Sequence, residues 1–484
     1  MSTTQVPLRL EGLADRYRDR QRALLRRRRA DLLEVGAVAM VVTTVVMFLL
    51  NAGGPALMTG TAASRLIALG RVTGLVGTAL LLLQLLLAAR LPWVDRVYGH
   101  DRALIAHRRV SRVAVPLLLA HAGALILGYA AQAGISPWLG WLIEPIRMLG
   151  GAVPDMLTAF ASLAILMLVA VTSVRAAQRR TSHETWHLVH VTAYAAVALS
   201  VPHQLSTGTD IAFNPVTRLL WLALYVVTAG AVVVFRVLVP LWRSFRHLPV
   251  VDAVVPEAPG VVSVIIRGRD LHRLPIQAGQ FVHWRFLTPG LWAAAHPWSI
   301  SAAPDGKRLR LTVRDLGDHS RRLATVRPGT RVVIEGPYGA FTTEHRTRRR
   351  VLLIAAGIGI TPVRALAEEL AATPATGPGD VTVLYRGNDE HSLVLRDELE
   401  HLAARSPVRV DVLVGPPVQG SWLPPQLAGH DEQADADVLA QLVPALADHD
   451  VYVCGPPVWM QLVRDCLRRA GVPRAQIHDE RFGW

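Results

Sequence analysis

Apolar residues are concentrated in the first half of this 484-residue chain, in segments nearly saturated with Leu, Val and Ala. Six of these segments are long enough, or nearly so, for the roughly 20 residues that a membrane-spanning helix needs. They lie near Val35–Asn51, Leu66–Ala89, Val113–Ala131, Pro154–Val174, Thr185–Val201 and Arg218–Val239. The pattern predicts a six-helix transmembrane bundle over residues 35–240, embedded in the lipid bilayer and preceded by a basic cytosolic segment at residues 1–34.

The pattern changes after residue 240, where short β-branched runs separated by Gly and Pro replace the long apolar segments. They predict an antiparallel β-barrel over residues 243–345, with strands at Val261–Ile266, Gln280–Phe286, Leu309–Val313 and Arg331–Ile334. From residue 346 to residue 484 strands alternate with helices, which is typical of a doubly wound α/β domain. Its strands are expected at Val351–Ala355, Val381–Tyr385 and Val451–Cys454, and its first helix at Pro362–Ala371.

The basic residues favour one topology for the bundle. The formal net charge is +14, and eight arginines between residues 16 and 29 precede the first apolar segment. Six more lie between the second and third segments. Because Lys and Arg are retained on the cytoplasmic side, we expect a multi-pass protein of the cell membrane with both termini in the cytoplasm. This distribution argues against nucleic acid as a partner.

Histidines occur within or at the ends of only two of the six apolar segments, the third and the fifth. His107 and His121 are 14 residues apart, and His190 and His203 are 13 apart. Either spacing covers about 20 Å of helix, enough to place one imidazole near each leaflet. The third and fifth helices run in the same direction, so His107 should face His190 and His121 should face His203. Two bis-histidine sites of this kind suit two b-type haems that carry electrons.

One of the two spacings does not fit a regular helix. Fourteen residues return to within about 40° of the starting face, whereas thirteen residues end about 140° away from it. We expect Pro202, directly before His203, to distort the helix and correct this. In an alternative interpretation His107 and His203 are interfacial histidines, and His190 bonds to a neighbouring helix. The role of His187, three residues before His190, stays open.

The soluble half carries five short motifs in a fixed order. The motifs are His296–Ser301, between predicted strands, then Leu316–Ser320, Gly336–Gly339, Ala356–Pro362 and Cys454–Pro456, followed by the terminal Glu480–Trp484.

Only two cysteines, Cys454 and Cys466, occur in the chain, too few to ligate an iron–sulfur cluster. Electrons must therefore use other carriers.

With these motifs the chain resembles the ferredoxin–NADP reductase superfamily. Together with the apolar segments and paired histidines, it resembles more narrowly the NADPH oxidase and ferric reductase family. The resemblance covers about residues 90 to 484. It implies a six-helix transmembrane haem-binding bundle fused to a cytosolic FAD-binding β-barrel and an α/β NAD(P)-binding domain.

The resemblance assigns the β-barrel motifs to FAD. Trp298 would supply the aromatic platform and Ser299 the donor near flavin N5, while His296, followed by Pro297, approaches the phosphate or ribitol side. Gly317 to Ser320 open a probable helix, whose free N–H groups and the Ser320 hydroxyl can hold the pyrophosphate. Taken alone, this last stretch would be an ordinary capped helix.

The α/β domain motifs are assigned to the nicotinamide cofactor. Gly357, Gly359, Thr361 and Pro362 form a turn between a strand and a helix, where the backbone can approach a dinucleotide closely. Arg386 ends the next strand and can pair with a 2′-phosphate, which favours NADPH over NADH; the alternative is a solvated surface arginine. By the resemblance Cys454, followed by Gly455 and Pro456, lies beside the nicotinamide, and Trp484 covers the flavin. Without the resemblance, Cys454 would be interpreted as a packed core thiol.

The sequence therefore predicts an NAD(P)H oxidase or ferric reductase-type enzyme. Its expected cofactors are FAD, two haems b and NADPH or NADH, and its expected acceptor is small and lies outside. The leading candidate acceptor is O₂, which would be reduced to superoxide. A ferric chelate or a quinone is the alternative acceptor. In a different class, the membrane half would only anchor a cytosolic flavin reductase that has no haem. No partner motif is visible, so no obligatory protein partner is expected.

Overall fold

The computed structural model describes residues 6–51, 53–98, 100–174, 183–292, 294–429 and 431–481. The chain divides into two compact units. The first is Arg28–Val237, called the helical unit below. The second comprises Leu238–Trp484 together with Met1–Arg27, and its part from Leu238 is called the C-terminal unit.

The helical unit is built from helices alone in the residues that the structure describes. Two π-helical segments, Met148–Ala152 and Val234–Leu238, lie between α-helices. The α-helices are α1 (Val6–Leu50), α2 (Gly53–Thr59), α3 (Ala62–Ala88), α4 (Pro92–Tyr98), α5 (His100–Gln132), α6 (Pro137–Arg147), α7 (Met156–Thr172), α8 (His183–Val191), α9 (Ala193–Ser206), α10 (Thr209–Ala212) and α11 (Pro215–Val233).

Four helical runs among the described residues are long and apolar enough to cross a membrane. They are Arg28–Leu50, Ala62–Ala88, Arg102–Gln132 and Pro215–His247, and they coincide with the first, second, third and sixth predicted segments. The fourth predicted segment forms α7, a shorter apolar helix. The fifth was expected to be one helix over Thr185–Val201, but it is divided into α8 and α9.

Helix α6 was not predicted, because its apolar run is too short to span a membrane. Trp138, 88% exposed, and Leu142 point away from the protein, whereas Glu144 is buried. Arg147 donates to Glu144 at 2.8 Å. This arrangement, apolar residues outside and a paired charge inside, is the reverse of that on the surface of a water-soluble protein.

Glycines on α3 allow it to pack closely against α5. A Cβ atom added to Gly70 would lie 2.9 Å from the side chain of Leu125, and one added to Gly77 would lie 2.9 Å from Leu118. Between them, a Cβ on Gly74 would overlap the ring of His121. Small residues with this spacing bring helix backbones together in membranes, so the glycines set the distance between α3 and the histidine-bearing helix.

The C-terminal unit begins with α12 (Val239–His247) and six antiparallel strands. They form two three-stranded sheets, ordered β1-β2-β5 and β4-β3-β6. Bridges at Val250–Arg331 and Ile300–Leu311 connect these sheets. The strands are β1 (Val250–Ala258), β2 (Val261–Arg267), β3 (Phe281–Phe286), β4 (His296–Ser299), β5 (Arg308–Arg314) and β6 (Val332–Tyr338), and the short helix α13 covers Asp318–Leu323.

The second part of this unit is a five-stranded parallel sheet ordered β11-β10-β7-β8-β9. The strand order reverses between β7 and β10, and ligands bind at the carboxyl edge of such a switch point. The strands are β7 (Arg350–Ala356), β8 (Val381–Gly387), β9 (Arg409–Val414), β10 (His449–Gly455) and β11 (Ile477–Arg481), and the helices are α14 (Ile360–Ala371), α15 (Arg396–Arg405), α16 (Glu432–Leu442) and α17 (Pro457–Arg469).

Candidate functional site

The structure brings His107 of α5 and His190 of α8 together in the helical unit. Their ring centroids are 6.1 Å apart, and the ring planes are inclined by 62°. The Nδ1 atom of His107 lies 3.3 Å from the carbonyl oxygen of Gln84 on α3. His190 Nδ1 lies 3.4 Å from the Ser173 hydroxyl, and its ring stacks on Trp186. Both imidazoles are therefore oriented by groups on their Nδ1 side, which leaves Nε2 for another ligand.

The second predicted pair has the same design on the α5 side. His121 Nδ1 lies 2.8 Å from the carbonyl oxygen of Gly70 on α3. His203 of α9 is close enough to His121 for the two imidazoles to interact electrostatically. In the part of the chain that the structure describes, the buried Nδ1 atom of His203 has no hydrogen-bond partner. A buried ring nitrogen without a hydrogen-bond partner fits a site that a bound group would complete.

The break at Thr192, rather than Pro202, separates the two histidines of the fifth segment. Thr192 lies between α8 and α9, and both its amide and its hydroxyl bond to the carbonyl of Val189. Such i to i+3 bonds wind the chain more tightly than an α-helix, so the 13-residue spacing of His190 and His203 is not that of one regular helix. Pro202 lies inside α9, which continues to Ser206, so the helix does not end there; a distortion at Pro202 that corrects the spacing stays a prediction.

The geometry of the His107–His190 pair fits haem. Two imidazoles that would hold one metal ion between them at metal–nitrogen distances of about 2 Å have ring centroids about 6 Å apart, and those of His107 and His190 are 6.1 Å apart. Metal-binding histidines usually donate their second N–H to a backbone carbonyl or a similar acceptor, as His107 and His121 do. Among the described residues no group of three or more His, Cys, Asp or Glu side chains forms a metal site.

The predicted flavin residues lie on strand β4, which we had expected to be a connection between strands. His296 pairs with Trp284 of β3, and Val282 pairs with Trp298. The side chain of Ser299 is 3% exposed, and its hydroxyl has no hydrogen-bond partner among the described residues. An orphaned buried hydroxyl beside Trp298 fits the donor that flavin N5 requires. Pro297 lies between them, in the middle of the strand.

An imidazole that sequence reasoning missed joins this group. The ring of His319, on α13, lies 3.6 Å from that of His296, measured between centroids, and the His296 ring stacks on Trp298 at 5.5 Å. His319 is part of the Leu316–Ser320 motif, and its position between the predicted Gly317 and Ser320 was the available signal. The Ser320 hydroxyl accepts from the Leu316 amide at 2.8 Å and donates to the Gly317 carbonyl at 2.9 Å, so this loop is closed on itself.

The turn predicted to bind the nicotinamide cofactor, Gly357 to Pro362, connects β7 to α14 at the switch point of the parallel sheet, and we call it the nicotinamide turn. Gly357 has a φ of +53°, which favours glycine. A Cβ atom on Gly359 would overlap the carbonyl oxygen of Cys454 and lie 2.6 Å from its carbon. The Thr361 hydroxyl donates to the Ile358 carbonyl at 3.0 Å, and Pro362 lies in the first turn of α14. Sequence reasoning placed this turn correctly, although α14 begins two residues earlier than expected.

Cys454 is the second-to-last residue of β10, next to the turn, and its side chain is fully buried. Burial raises the pKa of its thiol well above the usual value, and the nearby carboxylates of Glu480 and Asp479 raise it further. The thiol is therefore protonated at neutral pH. Gly455 and Pro456 follow and lead into α17, with Gly455 packed against Trp459.

Glu480 belongs to the terminal motif, to which the sequence assigned no role at this position. It is buried opposite Cys454 on β11. Trp484 lies outside the described residues.

Arg386 is the second-to-last residue of β8, near the strand end that the sequence predicts, but it is only 4% exposed. Its guanidinium donates to the carbonyl oxygens of Gly387 and Pro416, the latter at 2.9 Å. The interpretation as a solvated surface arginine is therefore wrong. Two of its nitrogens already have backbone partners, so a 2′-phosphate would have to bind beside these contacts or replace them.

These features define a membrane oxidoreductase that draws electrons from NAD(P)H through a flavin-binding module. The profile of the family described as "Ferric reductase like transmembrane component" matches residues 73–201. The profile described as "Oxidoreductase NAD-binding domain" matches residues 353–465. The chain belongs to the ferric reductase-like oxidoreductases with a ferredoxin–NADP reductase-type C-terminal module.

Similar proteins cover the C-terminal half. The ferredoxin reductase component of 3-ketosteroid-9-alpha-monooxygenase from Mycobacterium tuberculosis is 32% identical over 254 residues, 50% of this chain and 67% of that protein. Ferredoxin–NADP reductase B of Sorangium cellulosum is 30% identical over 240 residues, 48% of this chain and 95% of that protein. The FAD/NAD binding domain of nitric oxide dioxygenase from Vibrio cholerae is 28% identical and covers 49% of this chain and 98% of that chain, with a TM-score of 0.41.

Proposed function

We propose that this protein is a transmembrane oxidoreductase that oxidises cytosolic NAD(P)H and delivers single electrons to an acceptor outside, using FAD and two b-type haems. When bound, FAD converts a two-electron hydride into single electrons, and haem carries these one at a time. The observation that supports the proposal best is the His107–His190 separation of 6.1 Å, in a chain that also carries an NAD(P)H-dependent flavin module.

Each group of residues has its own part in this proposal. The nicotinamide turn from Gly357 to Pro362 holds the dinucleotide against the switch point, and Arg386 favours a 2′-phosphate. Cys454, buried and protonated, forms the apolar wall beside the nicotinamide, and Trp484 covers the flavin until the nicotinamide arrives.

The residues predicted to bind FAD have the remaining roles in this proposal. Ser299 donates at flavin N5, while Trp298 packs on the flavin. His296 approaches the phosphate or ribitol side, and the loop from Gly317 to Ser320 holds the pyrophosphate.

The histidines divide into two sites along the helices. His107 and His190 form the inner site, near the cytoplasmic end of α5, and His121 and His203 form the outer site. The carbonyls of Gln84 and Gly70 fix the Nδ1 side of the α5 histidines, so that their Nε2 atoms face the bound group. This order presumes that both termini are cytoplasmic, as the arginine distribution favours.

The haem content tests this proposal directly. Purified protein should show a b-type band in a reduced-minus-oxidised spectrum and contain two haems per FAD. A purified protein with full FAD content and no such band would instead support the alternative of a membrane-anchored flavin reductase.

We propose molecular oxygen as the leading acceptor, with a ferric chelate or a quinone as the alternatives. Oxidation of one NADPH would then give NADP⁺, a proton and two superoxide ions. The test compares NADPH oxidation in air, with and without superoxide dismutase, against reduction of a ferric chelate or a quinone under nitrogen. Fast reduction under nitrogen, together with acceptor reduction in air that superoxide dismutase does not affect, would replace oxygen with one of those acceptors.

A further inference from the structure

Two arginines and two glutamates join the β-barrel to the parallel-sheet domain within the C-terminal unit. Arg310 of β5 donates to both carboxylate oxygens of Glu398 on α15, at 2.7 and 2.9 Å. Arg364 of α14 contacts the same carboxylate at 2.8 Å. Arg364 also donates to Glu368, one turn further along α14, at 2.7 Å. We call these four residues the arginine–glutamate network.

The network is anchored on the chain that directly follows the flavin strand β4. The carbonyl oxygen of Ser301 accepts from Arg310 at 2.8 Å and from Arg364 at 3.1 Å. The amide of Ala303 donates to Glu368 at 2.7 Å. Ser301 is fully buried and lies two residues after Ser299, whose hydroxyl is the candidate flavin donor. Both arginines therefore meet at one carbonyl next to the flavin site.

At its other end the network acts on the nicotinamide turn. Helix α14 begins at Ile360, directly after Gly359, and Arg364 lies in its second turn. A helix is stiff over this length, so a shift of Arg364 relative to the barrel moves the turn by a similar distance.

The network is stronger than an ordinary surface ion pair. The side chains of Arg310 and Arg364 are 16% and 14% exposed, and the contact from Arg310 to Glu398 is bidentate, a geometry that adds strength and direction. Burial by itself would raise the pKa of Glu398, but the bond from Arg310 and the charge of Arg364 lower that pKa below its usual value. Glu398 is therefore ionised at neutral pH and attracts both arginines.

We propose that the arginine–glutamate network is a positioning device that holds the nicotinamide turn at a fixed distance from the flavin strand, with Glu398 as its central positioning residue. The inference rests on the proposed hydride transfer from NAD(P)H to FAD. Because such a transfer depends steeply on the separation of donor and acceptor, a loosened network should slow the hydride step while leaving nucleotide and flavin binding nearly unchanged.

The test is anaerobic flavin reduction by NADPH in the purified full-length protein, followed by absorbance in single-turnover mixing. Glu398→Gln should lower the limiting rate about tenfold, with less than a threefold change in the NADPH concentration for half-maximal rate. Glu400→Gln is the matched control, since Glu400 lies on the same helix and pairs only with the exposed Arg396 among the contacts described for it. It should react like the wild type, and Glu398→Asp should recover part of the rate.

Hydrogen–deuterium exchange supplies a readout that does not depend on turnover. The Ala303 amide and the first turns of α14 should exchange about tenfold faster in Glu398→Gln than in Glu400→Gln, because the network no longer restrains them. Equal limiting rates and equal exchange in the two variants would overturn the proposal. A change confined to the half-maximal NADPH concentration would overturn it as well, since it would indicate nucleotide binding.

Arg310→Lys keeps the proposal testable if Glu398→Gln releases FAD, because lysine retains the charge but cannot make the bidentate contact. The same tenfold criterion then applies. Flavin reduction precedes any electron transfer in the helical unit, so a protein without haem would contradict the proposed function and leave the ratio of these rates intact. Unchanged rates would equally leave the transmembrane electron path standing.

Discussion

The helical unit and the C-terminal unit present their candidate binding groups in opposite ways. In the helical unit these groups are imidazoles, and two of them lie against backbone carbonyls of a neighbouring helix, those of Gln84 and Gly70. In the C-terminal unit the candidate nicotinamide site is mainly backbone, a turn in which Gly359 packs against the Cys454 carbonyl. Inside a membrane every backbone N–H is already bonded within its helix, so only side chains are available to hold a cofactor there.

A strand–turn–helix connection, in contrast, leaves free N–H groups at the start of the helix. The two units should therefore respond to different mutations. Removal of a side chain should be most damaging in the helical unit, whereas addition of a single methyl group should be most damaging at the nicotinamide turn.

The largest expected effect follows from removal of a histidine of the inner pair. His190→Ala should abolish one of the two haems and lower electron transfer to the outer acceptor by roughly 100-fold or more, while flavin reduction by NADPH stays normal. Haem content per FAD and the two rates measure this. His187→Ala is the control, because His187 is exposed on the same helix. If His190→Ala retained two haems, the ligand assignment would be wrong and the comparison would lose its first half.

The second effect is smaller and concerns the C-terminal unit. Gly359→Ala places a methyl group against the Cys454 carbonyl, which cannot move without shifting strand β10. Strain of this kind costs about 1–3 kcal/mol, and we expect flavin reduction by NADPH to slow by roughly tenfold as the turn shifts. Haem content should not change. Gly230→Ala, in open space on α11, is the control, and equal rates in the two variants would argue that the turn is not the nucleotide site.

Much of this architecture is predictable from the hydrophobic pattern, because long apolar runs and β-branched runs each have a characteristic period. Four of the six predicted spans and the strands on both sides of residue 345 were found. The break at Thr192 was not predictable, since its neighbours include neither Gly nor Pro. The Thr192 hydroxyl bonds to the Val189 carbonyl at the break, but the Thr73 hydroxyl makes the same kind of bond inside the continuous helix α3, so the residue type alone does not predict where a helix breaks.

The candidate site was predictable wherever its residues belong to one local motif, as at Gly357–Pro362. It was not predictable where distant segments meet. The close contact of the His319 and His296 rings and the use of the Ser301 carbonyl by Arg310 and Arg364 depend on how the two antiparallel sheets pack against α13 and α14. Composition and spacing carry no information on such contacts.

Gly74→Ala tests the role of backbone spacing in the helical unit. The new methyl group would overlap the His121 imidazole, with its Cε1 atom at 2.8 Å. His121 would then leave its position against the Gly70 carbonyl. We expect a several-fold loss of outer haem and an altered midpoint potential of any haem that remains. Spectroelectrochemical titration measures both quantities, with Gly230→Ala again as the control. Unchanged haem and potential would mean that the α3 glycines serve helix packing alone.

The smallest effect is a pH dependence that belongs to the C-terminal unit alone, since both cysteines of the chain lie there. Burial raises the pKa of Cys466 from 9.0 to about 11. The folded state thus holds the thiol proton more tightly than the unfolded state. This contribution is complete below pH 9 and is lost as the pH rises to about 11.

The stability of the C-terminal unit should therefore fall by on the order of 2 kcal/mol more across this pH range in the wild type than in Cys466→Ala. Denaturant unfolding at pH 8, 9, 10 and 11 measures the difference. Val463→Ala is the matched control, because Val463 is buried on the same helix but does not titrate. That variant should be less stable at every pH and keep the wild-type slope. Equal slopes in all three proteins would show that burial of Cys466 does not govern the alkaline sensitivity of this unit.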